Sequence, residues 1–133
     1  MDYVGFKQAI DLAKAAQVQH VVLVSSLCVS RFLHPLNLFW LVLFWKLQAE
    51  AYLRQSGLTY TIVRPGGLKN DDLDTPVIMA GADRLFQGSI PRLQVARVVV
   101  AALTEPSAQN KIVEIVAEPG APIVPWSEAF ARV

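Results

Sequence analysis

Three features of this chain combine residue types that could bind a ligand. Ser25 and Ser26 follow the apolar run VVLV, and Pro65-Gly66-Gly67 follows a second apolar run, TIV, and one arginine. Between them Lys46 is the only charge in a long apolar stretch. If the two runs are parallel strands, the hydroxyls and the glycine backbone come to the carboxyl edge of the sheet, where such sheets bind ligands. The order therefore predicts a ligand site with an ammonium group beside it.

The segments around these residues alternate between helix and strand patterns. Tyr3, Phe6, Ile10 and Ala13 recur at three- and four-residue steps and would share one helix face. The run at 20–25 lacks polar alternation, which is typical of a strand buried on both faces. Such alternation predicts an α/β fold with a parallel sheet flanked by helices. We expect helices over 2–16, 37–57 and 126–132, strands over 20–25, 59–63 and 111–116, and loops over 27–35 and 69–75.

The long central helix has marked ends, whereas a later segment is ambiguous. Asn37 suits the N-cap of that helix, and Gly57 suits the position just past its end. The segment 93–103 has high strand propensity from its valines, yet its alanines and the Gln94/Arg97 spacing permit a buried helix. Its length favours the helix.

Composition and charge exclude several classes of protein. The chain has 133 residues, 53% hydrophobic and 17% charged, which fits one globular domain. A formal net charge of +1 gives no electrostatic reason to expect nucleic acid as a partner. The single Cys28 excludes an internal disulfide, fits a reducing compartment, and is best interpreted as a small buried hydrophobe. No signal peptide is expected, and the eight-residue apolar run 38–45 is too short for the ~20 residues of a membrane span.

Each candidate residue also has a simpler interpretation. A serine at a strand end can cap backbone groups, and a Pro-Gly pair often marks a plain turn. Lys46 could extend from an apolar helix into solvent or pair with Glu50. These alternatives stay open at the level of the residues alone.

The remaining polar residues predict no metal site. Asp71, Asp72 and Asp74 lie in one polar stretch, for which a solvated loop is the better interpretation than a cation site. His20 and His34 are isolated from any set of ligands and are given no role.

The order of these motifs resembles the atypical branch of the short-chain dehydrogenase/reductase superfamily. The phrases DYVGFKQAIDLAKAAQVQHVVLVSS, NLFWLVLFWKLQAEAYLRQSGLTYTIVRPGGL and LFQGSIPRLQVARVV are similar to one subgroup of it. That subgroup contains the redox-sensing, NADP-binding subunit of the chloroplast inner-envelope translocon and its cyanobacterial relatives. The resemblance covers nearly the whole chain and implies binding of NADP or NAD, with NADP(H) preferred.

The resemblance also implies roles for individual residues. Ser26, or else Ser25, matches the serine that binds the substrate carbonyl, and Lys46 matches the lysine that holds the nicotinamide ribose. The family's tyrosine stands four residues before that lysine, where this chain has Val42. Since valine transfers no proton, ordinary carbonyl reduction by this helix is in doubt. Pro65, Gly66, Gly67 and Leu68 match the turn that packs against the nicotinamide.

The front of the family pattern has no counterpart here. No strand followed by a glycine-rich G-x-G-x-x-G loop precedes these motifs, so residues 1–133 are expected to be the C-terminal part of a single NAD(P)-binding Rossmann-like domain. The strand at 20–25 would then have one bare edge, which invites pairing with another chain. We therefore expect a homodimer, or association with an N-terminal half.

Two functions remain open. One is an NAD(P)-binding protein with redox sensing or oxidoreductase activity in its complete form; the other is a scaffold or photosynthetic-complex assembly factor that keeps the fold without catalysis. The resemblance predicts a cytoplasmic, cyanobacterial-type protein, with peripheral association to photosynthetic membranes as a further interpretation.

Overall fold

The first helix forms because its apolar residues share one face. The computed structural model describes residues 3–27, 40–71 and 74–133, and only the backbone of residues 40–43. Phe6 and Ile10 of this helix are buried, as its periodicity predicts. The elements are α1 (Tyr3–Ala15), β1 (Val21–Val24), α2 (Trp40–Gln55), β2 (Tyr60–Pro65), β3 (Gly67–Lys69), β4 (Val77–Ala80), β5 (Ser89–Pro91), α3 (Arg92–Thr104), a 3₁₀ turn (Pro106–Ala108), β6 (Lys111–Ala117) and α4 (Trp126–Ala131).

Four of the strands form one sheet in the order β1-β2-β6-β4. β1 and β2 are parallel, with Val24 opposite Val63, and β2 and β6 are parallel, with Val63 opposite Val113. β4 is antiparallel to β6. β3 and β5 form a separate parallel pair. The predicted helix-flanked parallel sheet is confirmed for β1, β2 and β6. The antiparallel strand β4 makes the sheet mixed.

Two apolar cores cover the two faces of the sheet. On one face, α1 and α2 pack on Ile62 of β2 through residues that include Phe6, Ile10 and Leu53. On the other face, α3 and α4 pack on Val63 and Val113. Because neighbouring residues of a strand point to opposite faces, Ile62 belongs to the first core and Val63 to the second. The sheet is thus covered by helices on both sides.

The structure corrects the prediction that the first strand is buried on both faces. β1 pairs only with β2 among the described strands, and all but one of its residues are partly exposed, while Val24 is 46% exposed. A strand at the edge of a sheet has a neighbour on one side only, so β1 is less buried than its apolar sequence predicts. The bare edge expected for this strand is present in the described part of the chain.

The loop predicted over 69–75 is wrong at its start, and three short strands were not predicted. Lys69 ends β3, so the loop begins after it. β3 and β5 have three residues each and pair with one another, which leaves no sequence period to recognise. Within the loop, Asp74 forms an ion pair with Arg97 of α3, and Thr75 accepts a hydrogen bond from the buried Gln94.

The helix predictions hold over the described residues. α3 settles the ambiguous segment as a helix, with Val95 and Val98 buried. α2 ends at Gln55, and Gly57 has φ +86°, the left-handed conformation for which glycine is suited. The predicted cap Asn37 and most of the loop over 27–35, with Cys28 and His34, lie outside the described residues. No helix in the described ranges is long and apolar enough to cross a membrane.

Candidate active site

The serine pair lies where β1 ends beside the end of β2. The Ser25 N–H donates to the carbonyl of Val63 (2.7 Å), and the Leu27 N–H donates to the carbonyl of Pro65 (3.1 Å), so the chain follows β2 beyond β1 itself. Ser25 is only 5% exposed. The Oγ atoms of Ser25 and Ser26 are both buried and have no hydrogen-bond partner in the described part of the chain. Because buried hydroxyls are normally bonded, two adjacent exceptions indicate a place for a polar ligand group.

The Pro65-Gly66-Gly67 turn is held by main-chain contacts. The Gly66 N–H donates to the carbonyl of Ile115, and the Gly67 N–H donates to the carbonyl of Gly88, each at 3.0 Å. A Cβ atom on Gly66 would lie 2.6 Å from that Gly88 oxygen. Only glycine permits this approach of two backbones. Leu68 follows in β3 and is 46% exposed, so its side chain is accessible beside the turn.

Lys46 lies on α2 beside a hollow whose lining includes neither the serine pair nor the glycine turn. With Trp45 and Ala49 it lines this hollow of about 930 Å³, whose other walls are α1 and all four residues of β1. Burial lowers the pKa of the Lys46 ammonium, and the nearby Glu50 carboxylate acts against that shift. Val42 belongs to the same helix, four residues before Lys46, and its side chain is not among those described.

Three buried charged residues, which we name the Arg64 clamp, connect α2, β2 and β6. Arg64 donates from Nε to Glu50 Oε1 (3.0 Å) and from Nη2 to Glu50 Oε2 (2.7 Å). Its Nη1 donates to Glu114 Oε2 (3.3 Å) and to Asp83 Oδ1 (3.2 Å). Arg64, Glu50 and Glu114 are 3%, 0% and 1% exposed. Glu50 is therefore bound to Arg64 and, among the described residues, forms no ion pair with Lys46.

The clamp also fixes a loop. Glu114 accepts hydrogen bonds from the N–H groups of Asp83 (3.0 Å), Arg84 (2.7 Å) and Leu85 (2.8 Å), where Arg84 and Leu85 share Oε1. Burial alone lowers the pKa of the Arg64 guanidinium, but the hydrogen bonds and charges of Glu50, the charge of Asp83 and the bond with Glu114 raise it above its ordinary value. Arg64 thus stays charged. This cluster was not predicted from the sequence, although Arg64 and Glu114 each interrupt an apolar strand run.

His20 has a structural contact and no place in the site. Its Nε2 lies 2.8 Å from the Thr61 hydroxyl, which itself donates to the carbonyl of Ala108 at 2.8 Å. Since the hydroxyl proton is committed to Ala108, His20 Nε2 is the donor. Among the described residues no group of three or more histidines, cysteines, aspartates or glutamates is arranged to hold a metal ion.

These residues fit one end of a nicotinamide cofactor. Two buried hydroxyls, without partners among the described residues, lie beside a turn of bare backbone, while the half-buried Lys46 ammonium lines the hollow between α1, α2 and β1. Hydroxyls can bond a carboxamide or carbonyl, and an ammonium can bond ribose hydroxyls. Gly66 and Gly67 present backbone without a side chain at this place.

Comparison with known proteins identifies the family. A family model described as NAD(P)H-binding matches residues 2–106. The chain belongs to this NAD(P)H-binding family. Curated relatives of this family member include an uncharacterised chloroplastic protein of Arabidopsis thaliana, 44% identical over 100% of the chain and 51% of the relative. The chloroplastic protein TIC 62 of Pisum sativum is 40% identical over 100% of the chain and 26% of the relative. Sanguinarine reductase of Eschscholzia californica is 36% identical over 90% of the chain and 46% of the relative.

Solved structures share the fold of this NAD(P)H-binding family member. A Bacillus halodurans protein assigned as an NAD-dependent epimerase/dehydratase superposes with a TM-score of 0.83, 25% identity, and coverage of 97% of the chain and 58% of its own. The anaerobilin reductase ChuY of Escherichia coli O157:H7 superposes with a TM-score of 0.76 and 25% identity, over 91% of this chain and 61% of ChuY. The chain thus spans about half the length of the uncharacterised Arabidopsis relative (51%) and about a quarter of the length of TIC 62 (26%).

The family assignment confirms the predicted resemblance, the Rossmann-like fold and the nicotinamide cofactor class of the family. The expected cyanobacterial-type cytoplasmic location is wrong, because the relatives similar over the whole chain are chloroplastic plant proteins. The roles of Ser25, Ser26, Lys46, Pro65, Gly66, Gly67 and Leu68 stay predictions.

Proposed function

We propose that this chain carries the nicotinamide end of an NAD(P)(H) site, with NADP(H) as the preferred cofactor. The observation that carries the proposal is the pair of buried, unpartnered hydroxyls of Ser25 and Ser26 beside the backbone of Gly66 and Gly67. Membership of an NAD(P)H-binding family supports the choice of ligand. Residues 1–133 would then be the C-terminal part of a single Rossmann-like domain.

Each residue has a task in this proposal. The Lys46 ammonium holds the ribose hydroxyls, and its partial burial strengthens such hydrogen bonds by excluding water. A serine hydroxyl, that of Ser26 or else of Ser25, binds the carbonyl of the carboxamide or of a substrate. Pro65, Gly66, Gly67 and Leu68 provide the surface under the ring. The bound nicotinamide would supply or accept a hydride.

A second function, without catalysis, is favoured by Val42. Valine cannot donate or accept the proton that a carbonyl oxygen needs after hydride transfer. A chain that binds NADPH and changes conformation would serve redox sensing or complex assembly without turnover. NADPH-dependent reduction of a quinone or carbonyl compound by the protein would show that it is an enzyme and would exclude the function without catalysis.

The test of the proposed site is a titration with NADPH that follows tryptophan emission. Trp45 lines the same hollow as Lys46, so occupancy should quench its emission. We expect saturable quenching in the wild type and about tenfold weaker binding in Lys46→Ala, because a charge-assisted hydrogen bond contributes about 1.5–3 kcal/mol.

Lys14→Ala is the matched control for this titration, since Lys14 is exposed on α1. It removes the same charge and should leave the affinity within about twofold, as an exposed lysine makes no buried bond. Equal losses in Lys46→Ala and Lys14→Ala would reduce the effect to net charge. A folded wild type without saturable quenching would contradict the proposal.

Ser25→Ala separates a ligand-binding hydroxyl from a structural one. Since the Ser25 hydroxyl has no partner in the part of the chain that the structure describes, its removal should leave the free energy of unfolding unchanged or raise it by about 1 kcal/mol. The same variant should weaken NADPH binding several-fold. Ser56→Ala is the control, because the Ser56 hydroxyl donates to the carbonyl of Leu53 at 2.6 Å and should cost about 1 kcal/mol without an effect on NADPH. A clear loss of stability in Ser25→Ala would count against the ligand role.

The relatives guide the proposal for the biological setting. TIC 62 and an uncharacterised relative are chloroplastic, and sanguinarine reductase is a reductase by its name. A chloroplast protein linked to NADP(H), as redox sensor or reductase, is the function that fits these relatives. Peripheral membrane association has one supporting feature in the described residues, the 46% exposed Trp45, and vesicle flotation would test it.

Pairing of two copies through β1 is the proposed oligomeric state. Val22 and Val24 alternate with the residues whose N–H groups donate to β2, so their backbone groups face the bare edge. Sedimentation of the 133-residue chain should show a dimer, which Val24→Lys should convert to a monomer because a charge on an edge strand opposes pairing. Val100→Lys, on an exposed valine of α3, is the control. A wild-type monomer would contradict the pairing.

A further inference from the structure

The Arg64 clamp joins three pieces of the fold at one guanidinium: the part of α2 that carries Lys46, the glycine turn and a loop. Glu50 stands one helical turn after Lys46, so its position fixes that part of α2. Arg64 itself directly precedes Pro65 and the glycine turn. Both oxygens of Glu50 accept from Arg64, at 3.0 and 2.7 Å, a two-pronged contact that fixes orientation as well as distance.

The third piece is the loop before β5. Glu114 binds one nitrogen of Arg64 and three successive backbone N–H groups, at 83–85. That loop leads to Gly88, whose carbonyl binds the Gly67 N–H and would meet any Cβ on Gly66. A movement of the loop would therefore displace the backbone of the turn.

Stability alone is a weak reason for such a cluster. Two fully buried carboxylates and one guanidinium cost more desolvation than apolar side chains of the same volume, which often stabilise a protein as well or better. A network that fixes geometry has a different use, because groups that bind a ligand must be held within about half an ångström of their working positions.

We propose that Arg64 is a positioning residue, which couples the placement of Lys46 on α2 to that of the glycine turn and the loop at 83–85. The proposal rests on the proposed function for the identity of the ligand. Arg64 itself is only 3% exposed. Its effect on binding is transmitted through Glu50 on one side and Glu114 on the other.

The test is Glu50→Gln in the whole 133-residue chain, with amide hydrogen exchange and NADPH affinity as the two readouts. Glu50 makes no hydrogen bond to the loop, so faster exchange at Asp83, Arg84 and Leu85 would have to pass through Arg64. We expect exchange there to rise about tenfold. We expect NADPH binding to weaken about tenfold, by analogy with metal sites, where loss of an outer partner costs about 10–100-fold in affinity or activity.

Two controls separate positioning from charge and from general stability. Glu118→Gln removes the same charge from an exposed position and should change neither readout. Val98→Ala weakens the core on the other face of the sheet, and should leave NADPH affinity within about twofold despite its lower stability. Arg64→Lys keeps the charge without the two-pronged contact, and an intermediate loss in both readouts is expected. Arg64→Lys also provides the test of coupling if Glu50→Gln fails to fold.

Exchange at 83–85 that matches the wild type in both Glu50→Gln and Arg64→Lys would overturn the coupling, whatever the affinity. Faster exchange with unchanged NADPH affinity would overturn the positioning role. A wild type that binds no NADPH would overturn the proposed function, while the exchange data would still decide whether Arg64 couples the two elements.

Discussion

Replacement of Arg64 by methionine is expected to lower the free energy of unfolding by about 3–5 kcal/mol. The variant keeps much of the side-chain volume but leaves Glu50 and Glu114 buried without their cation. A domain has only about 5–15 kcal/mol of stability in total, so the loss would bring this one near its limit. Urea unfolding followed by circular dichroism measures it.

The control for Arg64→Met is Arg97→Met. Arg97 is 43% exposed and pairs with Asp74, and exposed pairs contribute about 0–1 kcal/mol. The double variant Arg64→Met/Glu50→Gln should recover part of the loss, because it removes the uncompensated carboxylate. A cost below about 1 kcal/mol for Arg64→Met would mean that water or a rearranged side chain takes the place of the guanidinium.

Gly66→Ala is expected to cost about 1–3 kcal/mol through a clash that no side chain can relieve. The added Cβ would lie 2.6 Å from the Gly88 carbonyl oxygen and 3.0 Å from Val116 Cγ1. Because the Gly88 oxygen belongs to the backbone, the turn or β5 must move. Thermal unfolding measures the loss, and NADPH titration should show weaker binding in parallel.

Gly67→Ala gives the comparison one residue further on. Its Cβ would have no neighbour nearer than 3.7 Å, an ordinary contact, so the change should be tolerated within about 0.5 kcal/mol. Similar losses in the two variants would contradict the argument from close approach.

Much of the fold could be predicted because its main elements carry local signals. The apolar period of α1 and the length of the segment at 93–103 identified helices, and runs rich in β-branched residues identified β1, β2 and β6. β3 and β5 had no such signal, because three residues are too few for a period and because each residue of β3 pairs with one about 22 positions later in the chain. The antiparallel direction of β4 likewise depends on its partner β6.

The candidate site was predictable as a list of residues but not as an arrangement. Ser25, Ser26, Lys46 and the glycine turn follow from the order of the motifs. The simple pairing of Lys46 with Glu50 was a fair alternative on helix spacing, yet Glu50 binds Arg64, which is 14 residues away in the chain. Glu114 joins from 50 residues away. Contacts of that separation are fixed by the sheet, and no local pattern encodes them.

The ring of Tyr3 on α1 stacks on the indole of Trp45 on α2, with centroids 5.4 Å apart. At that separation, light absorbed by the phenol passes to the indole almost completely. Tyrosine-excited emission from Trp45 is therefore a built-in optical gauge of whether α1 remains seated on α2. When α1 detaches, the indole loses this antenna even if α2 and the sheet remain intact.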